Sequence, residues 1–263
     1  MKIALVGYGK MGHMLEATAK QLGHEVVATV DVIAPDASVN VAAGDGDAVA
    51  RAVSESGAEG VIEFSHPTAV MGNIKALLPL SVPLVVGTTG WTDREKEVAE
   101  LAASVGGTLM HSANFSIGVN VFYKIVEEAA KLVSNFSEYD AAVWEMHHNQ
   151  KADSPSGTAL EIARRVMRGD SRKTEMVTDA FHAKPAPNQL HVSSTRCGSV
   201  PGTHKVFFDC LADTIELTHT ARSRQGFASG AVHALENLKQ YLDDGTLKPG
   251  RLYGMDDVFP GLF

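Results

Sequence analysis

The stretch HHNQKADSPSGTAL, residues 147–160, gathers groups suited to proton and anion chemistry: His147, His148, Lys151 and the helix start Ser156-Gly157-Thr158. An ordinary imidazole titrates near ~6.5, so a histidine here can give or take a proton at neutral pH. Lys151 follows His148 closely and brings a fixed positive charge. Ser156 or Thr158 can cap a helix whose first amides point outward, and such a helix start favours an anion. The combination predicts a site for a small carboxylate or phosphate. Adjacent strand residues face opposite ways, so His147 and His148 do not readily share a metal. No HxxxH and no His-plus-carboxylate spacing supplies further ligands, and no metal is expected. If the strand ends near His147, as Asn149 and Gln150 indicate, both rings can border one pocket and general acid work becomes feasible.

A second constellation lies near the start of the chain. VGYGKMG places Gly7, Gly9 and Gly12 between an apolar run and a helical pattern, where glycines permit a tight turn and close approach of a pyrophosphate to helix amides. Asp31 ends the next apolar run, roughly twenty residues beyond Gly12, where its carboxylate can accept hydrogen bonds from an adenosine ribose. A further ribose phosphate there would be repelled by about 1–4 kcal/mol at ~4 Å. Val32 follows where an arginine could have compensated, although Lys10 can reach a phosphate. NADH is therefore the expected cofactor and NADPH the alternative. VGTTG (86–90) and HSANFS (111–116) each close an apolar run on the side where ligands meet open α/β sheets. Asn114 can equally cap the segment that follows.

Positioning these groups requires two kinds of element pattern. The first part alternates strands (KIALVG, EVVATVD, GVIEFS, VPLVVGTTG, TLMHS) with helices, one opened by Thr92 and Glu95 as a capping box. Five apolar runs joined by helices predict a doubly wound parallel sheet. After Asn114 a long helix (119–133) leads into YDAAVWEMHH, QLHVSSTRCG, HKVFFDCL and TIELTHTA with fewer helices between them, the pattern of a mixed or antiparallel sheet. The last helix, GFASGAVHALENLKQYL, carries small residues Ala228, Gly230 and Ala231 that permit close packing. The expected fold class is α/β: an N-terminal Rossmann-like domain plus a smaller α+β domain with a mixed sheet.

Composition limits the alternatives. With 263 residues, 44% hydrophobic and only 6% aromatic, the cores must be built from aliphatic side chains, and two domains are expected. A net charge of −8 without a basic run opposes nucleic-acid binding. Cys197 and Cys210 make neither a disulfide framework nor a zinc pattern, which fits reduced thiols and a cytoplasmic location. No segment reads as a signal peptide or membrane span.

EMHHNQKADSPSGTA resembles the signature of the 4-hydroxy-tetrahydrodipicolinate reductase (dihydrodipicolinate reductase) family, nicotinamide-dependent enzymes of the diaminopimelate route to lysine. GYGKMG, GTTG, ANFSIGVN, RCGSVPGTH and IELTHTARSRQGFASGAV stand in the family's order, so the resemblance covers nearly the whole chain. It implies His147 as proton donor, Lys151 as a catalytic and substrate-charge residue, and His148, Gly157 and Thr158 as substrate contacts. The cofactor would meet Gly7, Tyr8, Gly9, Lys10, Met11, Gly12, Asp31, Gly87, Thr88, Thr89, Ser112, Ala113, Asn114 and Phe115. The implied substrate is a cyclic dicarboxylate. Also implied are a homotetramer joined through the second domain's sheet, closure of the domains over substrate, and a dinucleotide-binding domain of residues 1–116. Residues 227–263 would pack back on that domain, and 117–226 would form the substrate and oligomerisation domain. Many members carry a glycine loop one residue longer and an arginine after the acidic position; here Val32 follows Asp31. The rival readings are another two-domain amino-acid dehydrogenase and a non-catalytic dinucleotide sensor.

Overall fold

The computed structural model describes residues 1–261; residues 262 and 263, at the end of the expected 227–263 segment, lie outside the described residues. In chain order the first elements are β1 (Lys2–Val6), α1 (Lys10–Gln21), β2 (Glu25–Asp31), β3 (Val39–Asn40), α2 (Gly46–Ser56), β4 (Gly60–Glu63), α3 (Val70–Leu77), β5 (Leu84–Val86), α4 (Glu95–Val105) and β6 (Leu109–His111). There follow α5 (Ile117–Val133), β7 (Asp140–His147), α6 (Gly157–Gly169), β8 (Glu175–Val177), β9 (Gln189–Arg196), β10 (Thr203–Asp209) and β11 (Thr214–Thr220). The last are α7 (Gln225–Asp243), β12 (Leu252–Tyr253) and α8 (Met255–Val258). The chain divides into two compact units, one of residues 1–116 with Gln225 onward, the other Ile117–Arg224.

In the first unit a parallel sheet runs in the order β12-β6-β5-β4-β1-β2-β3. Ile3, Ala4, Leu5 and Val6 are all buried because helices cover both faces of β1. The chain winds outward from β1 through β2 and returns at β4, so the strand order reverses between β1 and β4, the position where such sheets bind ligands. Gly7 is indispensable there. It has φ +93°, and a Cβ would lie 2.2 Å from the Phe64 carbonyl oxygen. Against the expected five strands the sheet has seven, because β3 and β12 are two-residue pairings too short to show an apolar run.

The Thr92 and Glu95 capping box does not form. Residues Thr92–Arg94 make a 3₁₀ turn, and α4 begins at Glu95 with no side-chain cap from Arg94. On one face of the sheet α7 packs with α1, sharing a core of Leu15, Ala19, Ala231, Val232, Leu235 and Leu238. Its small residues bring backbones together: a Cβ on Gly230 would sit 1.7 Å from the Phe115 carbonyl oxygen.

The second unit holds a five-stranded mixed sheet, β11-β10-β7-β9-β8, antiparallel across β11-β10-β7 and parallel across β7-β9-β8. One face lies under α5 and α6, where Val143, Val192, Val206 and Phe208 meet Val126, Ile162 and Val166. That buried face changes character along the strands. Val143 gives way to Glu145 and His147 on β7, Val192 to Ser194 and Arg196 on β9, and Val206 to His204 on β10. No helix among the described residues is long and apolar enough to cross a membrane.

Candidate active site

β7 positions its acidic and imidazole side chains by its two-residue side-chain period. Alternate residues Ala141, Val143, Glu145 and His147 are buried, so the strand delivers a carboxylate and an imidazole to the polar end of an otherwise apolar face. Register does the rest: Glu145 lies opposite Ser194 on β9 and His204 on β10, and His204 opposite His219 on β11. The Glu145 carboxylate is fully buried and acts as a hub. Arg196 Nη2 and Ser194 Oγ each donate to Oε1 at 3.0 Å, and the Ser156 amide donates to the same oxygen at 2.9 Å. The Ser156 hydroxyl donates to Oε2. His147 Nδ1 stands 3.0 Å from Oε2 and His204 Nε2 3.6 Å from it, both as charge contacts rather than aligned hydrogen bonds.

Burial alone would raise the Glu145 pKa, but contacts from His147 and His204 and the hydrogen bonds from Ser156 outweigh it and hold the group far below the usual carboxylate range. His204 moves downward, chiefly through burial, with the charges of His147 and Lys151 adding to it against the pull of Glu145. Burial likewise lowers His219. Gly202 leaves room for the His147 ring: a Cβ there would lie 2.9 Å from His147 Nε2.

The strand stops at His147, and His148 begins the loop. Arg196 ties that loop down by donating to the carbonyls of Lys151 and Asp153. Lys151 Nζ lies 2.8 Å from Asp153 Oδ1; burial would raise the Asp153 pKa, but Lys151 and nearby backbone amides, that of Gly157 among them, hold it below the usual carboxylate range. Of the two hydroxyls able to cap α6, Ser156 does so, accepting from the Ala159 amide at 3.1 Å. No heavy atom lies within 4 Å of a Cβ placed on Gly157, so the helix start is open on that side. His148 is half-buried, its Nδ1 without a hydrogen bond among the described residues.

In the first unit, Gly9 precedes α1 without a side-chain cap, and a Cβ there would meet nothing within 4 Å. This is the open cradle a pyrophosphate needs beside helix amides. Gly12 instead serves packing, its missing Cβ lying 2.5 Å from the Gly7 carbonyl oxygen. Asp31 is held by backbone amides: Oδ2 accepts from Tyr8 at 2.6 Å, Oδ1 from Ile33 and Ala34 at 2.8 and 3.0 Å. Burial opposes ionisation of Asp31, yet these amides win and keep it below the usual carboxylate range. A cavity lined by Gly7, Asp31, Val32, Asp45, Ser65 and Asn73, among others, adjoins it.

The remaining candidates fall into open and buried sets. Lys10 and Thr89 are exposed, whereas Thr88 is buried and accepts from the Ser65 amide at 2.7 Å. Met11 packs against the core, and the Tyr8 ring stacks on His13. A Cβ on Gly87 would overlap the Phe64 ring. Ser112 Oγ accepts from the Asn114 amide, Ala113 is exposed, and Asn114 Oδ1 accepts from Ser116, the turn that leads toward α5. The Phe115 side chain belongs to the core, which leaves only its backbone for a ligand.

The dihydrodipicolinate reductase N-terminal family model matches residues 1–115 and the C-terminal model residues 118–259. The chain belongs to the dihydrodipicolinate reductase family. It is 34% identical to the 4-hydroxy-tetrahydrodipicolinate reductase of Christiangramia forsetii, covering all of this chain and 99% of the relative. It is 39% identical to that of Archaeoglobus fulgidus, covering 98% and 99%. Among solved structures, dipicolinate-bound dihydrodipicolinate reductase from Paenisporosarcina sp. TG-14 superposes with a TM-score of 0.73 at 20% identity, covering 98% of this chain and 99% of that one, a likeness of fold. Membership of this family places the chain among pyridine-nucleotide oxidoreductases.

Several polar residues of this family member escape a linear reading. Glu145 and His147 form a carboxylate-plus-histidine spacing after all, two apart on one strand face, with His204 brought in by register. Their ligating atoms lie within 4.8 Å of one another, a grouping able to hold a metal. Yet Arg196, Ser156 and Ser194 already direct donors at the carboxylate, which makes it an acceptor of hydrogen bonds. The E-x-H alternation was the available signal for Glu145. Arg196, His204 and Asp153 carried none that distinguishes them from surface or core residues.

Proposed function

We propose that the chain reduces 4-hydroxy-2,3,4,5-tetrahydrodipicolinate to 2,3,4,5-tetrahydrodipicolinate with loss of water, using NADH, in the diaminopimelate route to lysine. One observation carries this reading beyond family membership: Lys151 Nζ already holds a carboxylate, that of Asp153, at 2.8 Å just before the start of α6. Asp153 stands in for a substrate carboxylate. Lys151 and the first amides of α6 at Gly157 and Thr158 hold one carboxylate of the cyclic dianion, with His148 as a further contact. The reduced pyridine nucleotide supplies a hydride when bound. His147 delivers a proton to the ring carbon where negative charge develops, its Nε2 lying on the side that Gly202 keeps clear. With Nδ1 facing Glu145, Nε2 is the nitrogen available for that transfer.

In the first unit Gly7 to Gly12, Asp31, Gly87 to Thr89 and the stretch Ser112 to Phe115 serve the nucleotide, the last through its backbone. The preference for NADH is supported by the cavity beside Asp31, whose lining includes Asp31 and Asp45 and neither lysine nor arginine. Three amides fix the Asp31 carboxylate, so it cannot swing away from a ribose phosphate. Unpaired Cys197 and Cys210 fit a cytoplasmic setting. A homotetramer joined through the second unit's sheet is supported by exposed Leu211 and Ile215 beside and on β11.

The deciding assay follows near-ultraviolet absorbance of NADH, with NADPH in parallel, on adding the fresh condensation product of pyruvate and aspartate semialdehyde. Oxidation that depends on both condensing substrates, faster with NADH, is expected. A bound dinucleotide with no oxidation would overturn the reading and favour a dinucleotide sensor.

A further inference from the structure

A fully buried carboxylate inside a catalytic unit is costly unless its partners repay the desolvation, so its retention calls for a reason. Glu145 is such a group. It meets His147 from its own strand, Arg196 and Ser194 from β9, His204 from β10, and both the amide and hydroxyl of Ser156 before α6. Lys151 is near enough for its charge to act on His204, and His219 lies beyond His204 at a ring separation of 6.4 Å. Arg196 alone would neutralise the carboxylate. The other contacts divide between the proton donor and the cap of the anion-binding helix.

We propose that Glu145 is a positioning residue that orients His147 through Nδ1 and sets the start of α6 through Ser156, so that one carboxylate registers proton donor and anion site together. The inference rests on the reading of His147 as proton donor. Geometry supports both branches. On one side, Nδ1 lies 3.0 Å from Oε2 in a charge contact and has no hydrogen-bond partner among the described residues, which leaves Nε2 for the substrate. On the other, the Ser156 hydroxyl gives its proton to Oε2, which turns its lone pairs toward the Ala159 amide and fixes the cap. Arg196 completes the frame, since it bonds Glu145 and also the carbonyls of Lys151 and Asp153. An uncharged amide of the same shape would keep the packing and lose the negative charge beside Nδ1.

The test compares wild type, Glu145→Gln and His147→Gln in the NADH assay across pH. For Glu145→Gln we expect kcat to fall on the order of 10²-fold, within the range for lost general acid catalysis. The pH profile of kcat should change, because the charge beside Nδ1 is removed. The KM for NADH should be unchanged. Wild-type kcat in Glu145→Gln, or a lowered kcat with the wild-type pH profile, overturns the positioning role. Activity retained in His147→Gln overturns the proton-donor reading instead, which separates the two failures. Should Glu145→Gln not fold, ¹⁵N spectra of wild-type His147 decide: the neutral ring is expected to carry its proton on Nδ1, and a proton on Nε2 sinks the proposal.

Discussion

At the scale of single residues, two buried glutamates near strand ends show how surroundings set charge. Glu145 meets an arginine, histidines and serine donors, which hold it ionised. Glu63, at the end of β4, is equally buried, but meets only the neutral groups of Ser65, Thr88 and Asn73; burial outweighs their hydrogen bonds and raises its pKa. Its Oε2 has no partner among the described residues, as suits a protonated carboxyl. The sign of the pH effect follows. Between the unfolded and the raised folded pKa, the folded state binds the proton that the unfolded state has lost, so stability falls as pH rises through that window. Glu63→Gln removes this dependence while preserving shape. Its melting temperature relative to wild type should rise from pH 4 toward pH 8, and a constant difference would show that Glu63 is ionised in the fold. Neither glutamate was singled out from the sequence, although the E-x-H alternation marked Glu145. His147 and Lys151 were singled out as candidates, because residue type and a helix start suggest chemistry locally, whereas the contacts of Glu145 come from strands distant in the chain.

At the scale of elements, long apolar runs and glycine turns were legible, since each is dictated by local period and backbone freedom. The β1 turn at Gly7 and the start of α1 follow directly from VGYGKMG. What the pattern missed was set by context: β3, β8 and β12 are too short to show a period, and Thr92 entered a 3₁₀ turn instead of capping α4. The small residues of α7 were legible as a packing signal but not in purpose. Gly230 serves contact between backbones, because the atom a Cβ would strike is the Phe115 carbonyl oxygen, which no rotamer change can move. Alanine is better than glycine in a helix by about 1 kcal/mol, but overpacking of this kind costs about 1–3 kcal/mol, and the separation of 1.7 Å places it at the upper end. Gly230→Ala should therefore lower stability in urea by about 2 kcal/mol net, whereas equal or greater stability would mean that α7 can shift without cost.

At the scale of the whole molecule, the two groups of candidate residues fall in different units. The glycine loop, Asp31 and the turns after β5 and β6 belong to one unit; His147, Lys151 and the start of α6 belong to the other. The doubly wound sheet was legible from alternation, and the mixed sheet from the change of rhythm after Asn114, but its register, which makes the polar row through Glu145, was not. This division makes a test of function by uncoupling. Lys151→Ala removes a charge from the second unit and leaves the first intact. The pair it breaks, with a largely exposed Asp153, contributes at most about 1 kcal/mol to stability, so unfolding cannot account for a large effect. If Lys151 holds the substrate carboxylate during reduction, kcat/KM for the dicarboxylate should fall on the order of 10²–10³-fold. Nucleotide affinity measured by fluorescence titration should stay at the wild-type value. An unchanged rate would remove Lys151 from the site and leave Asp153 before α6 as a structural anion, while a parallel loss of nucleotide affinity would show that the lysine serves the cofactor.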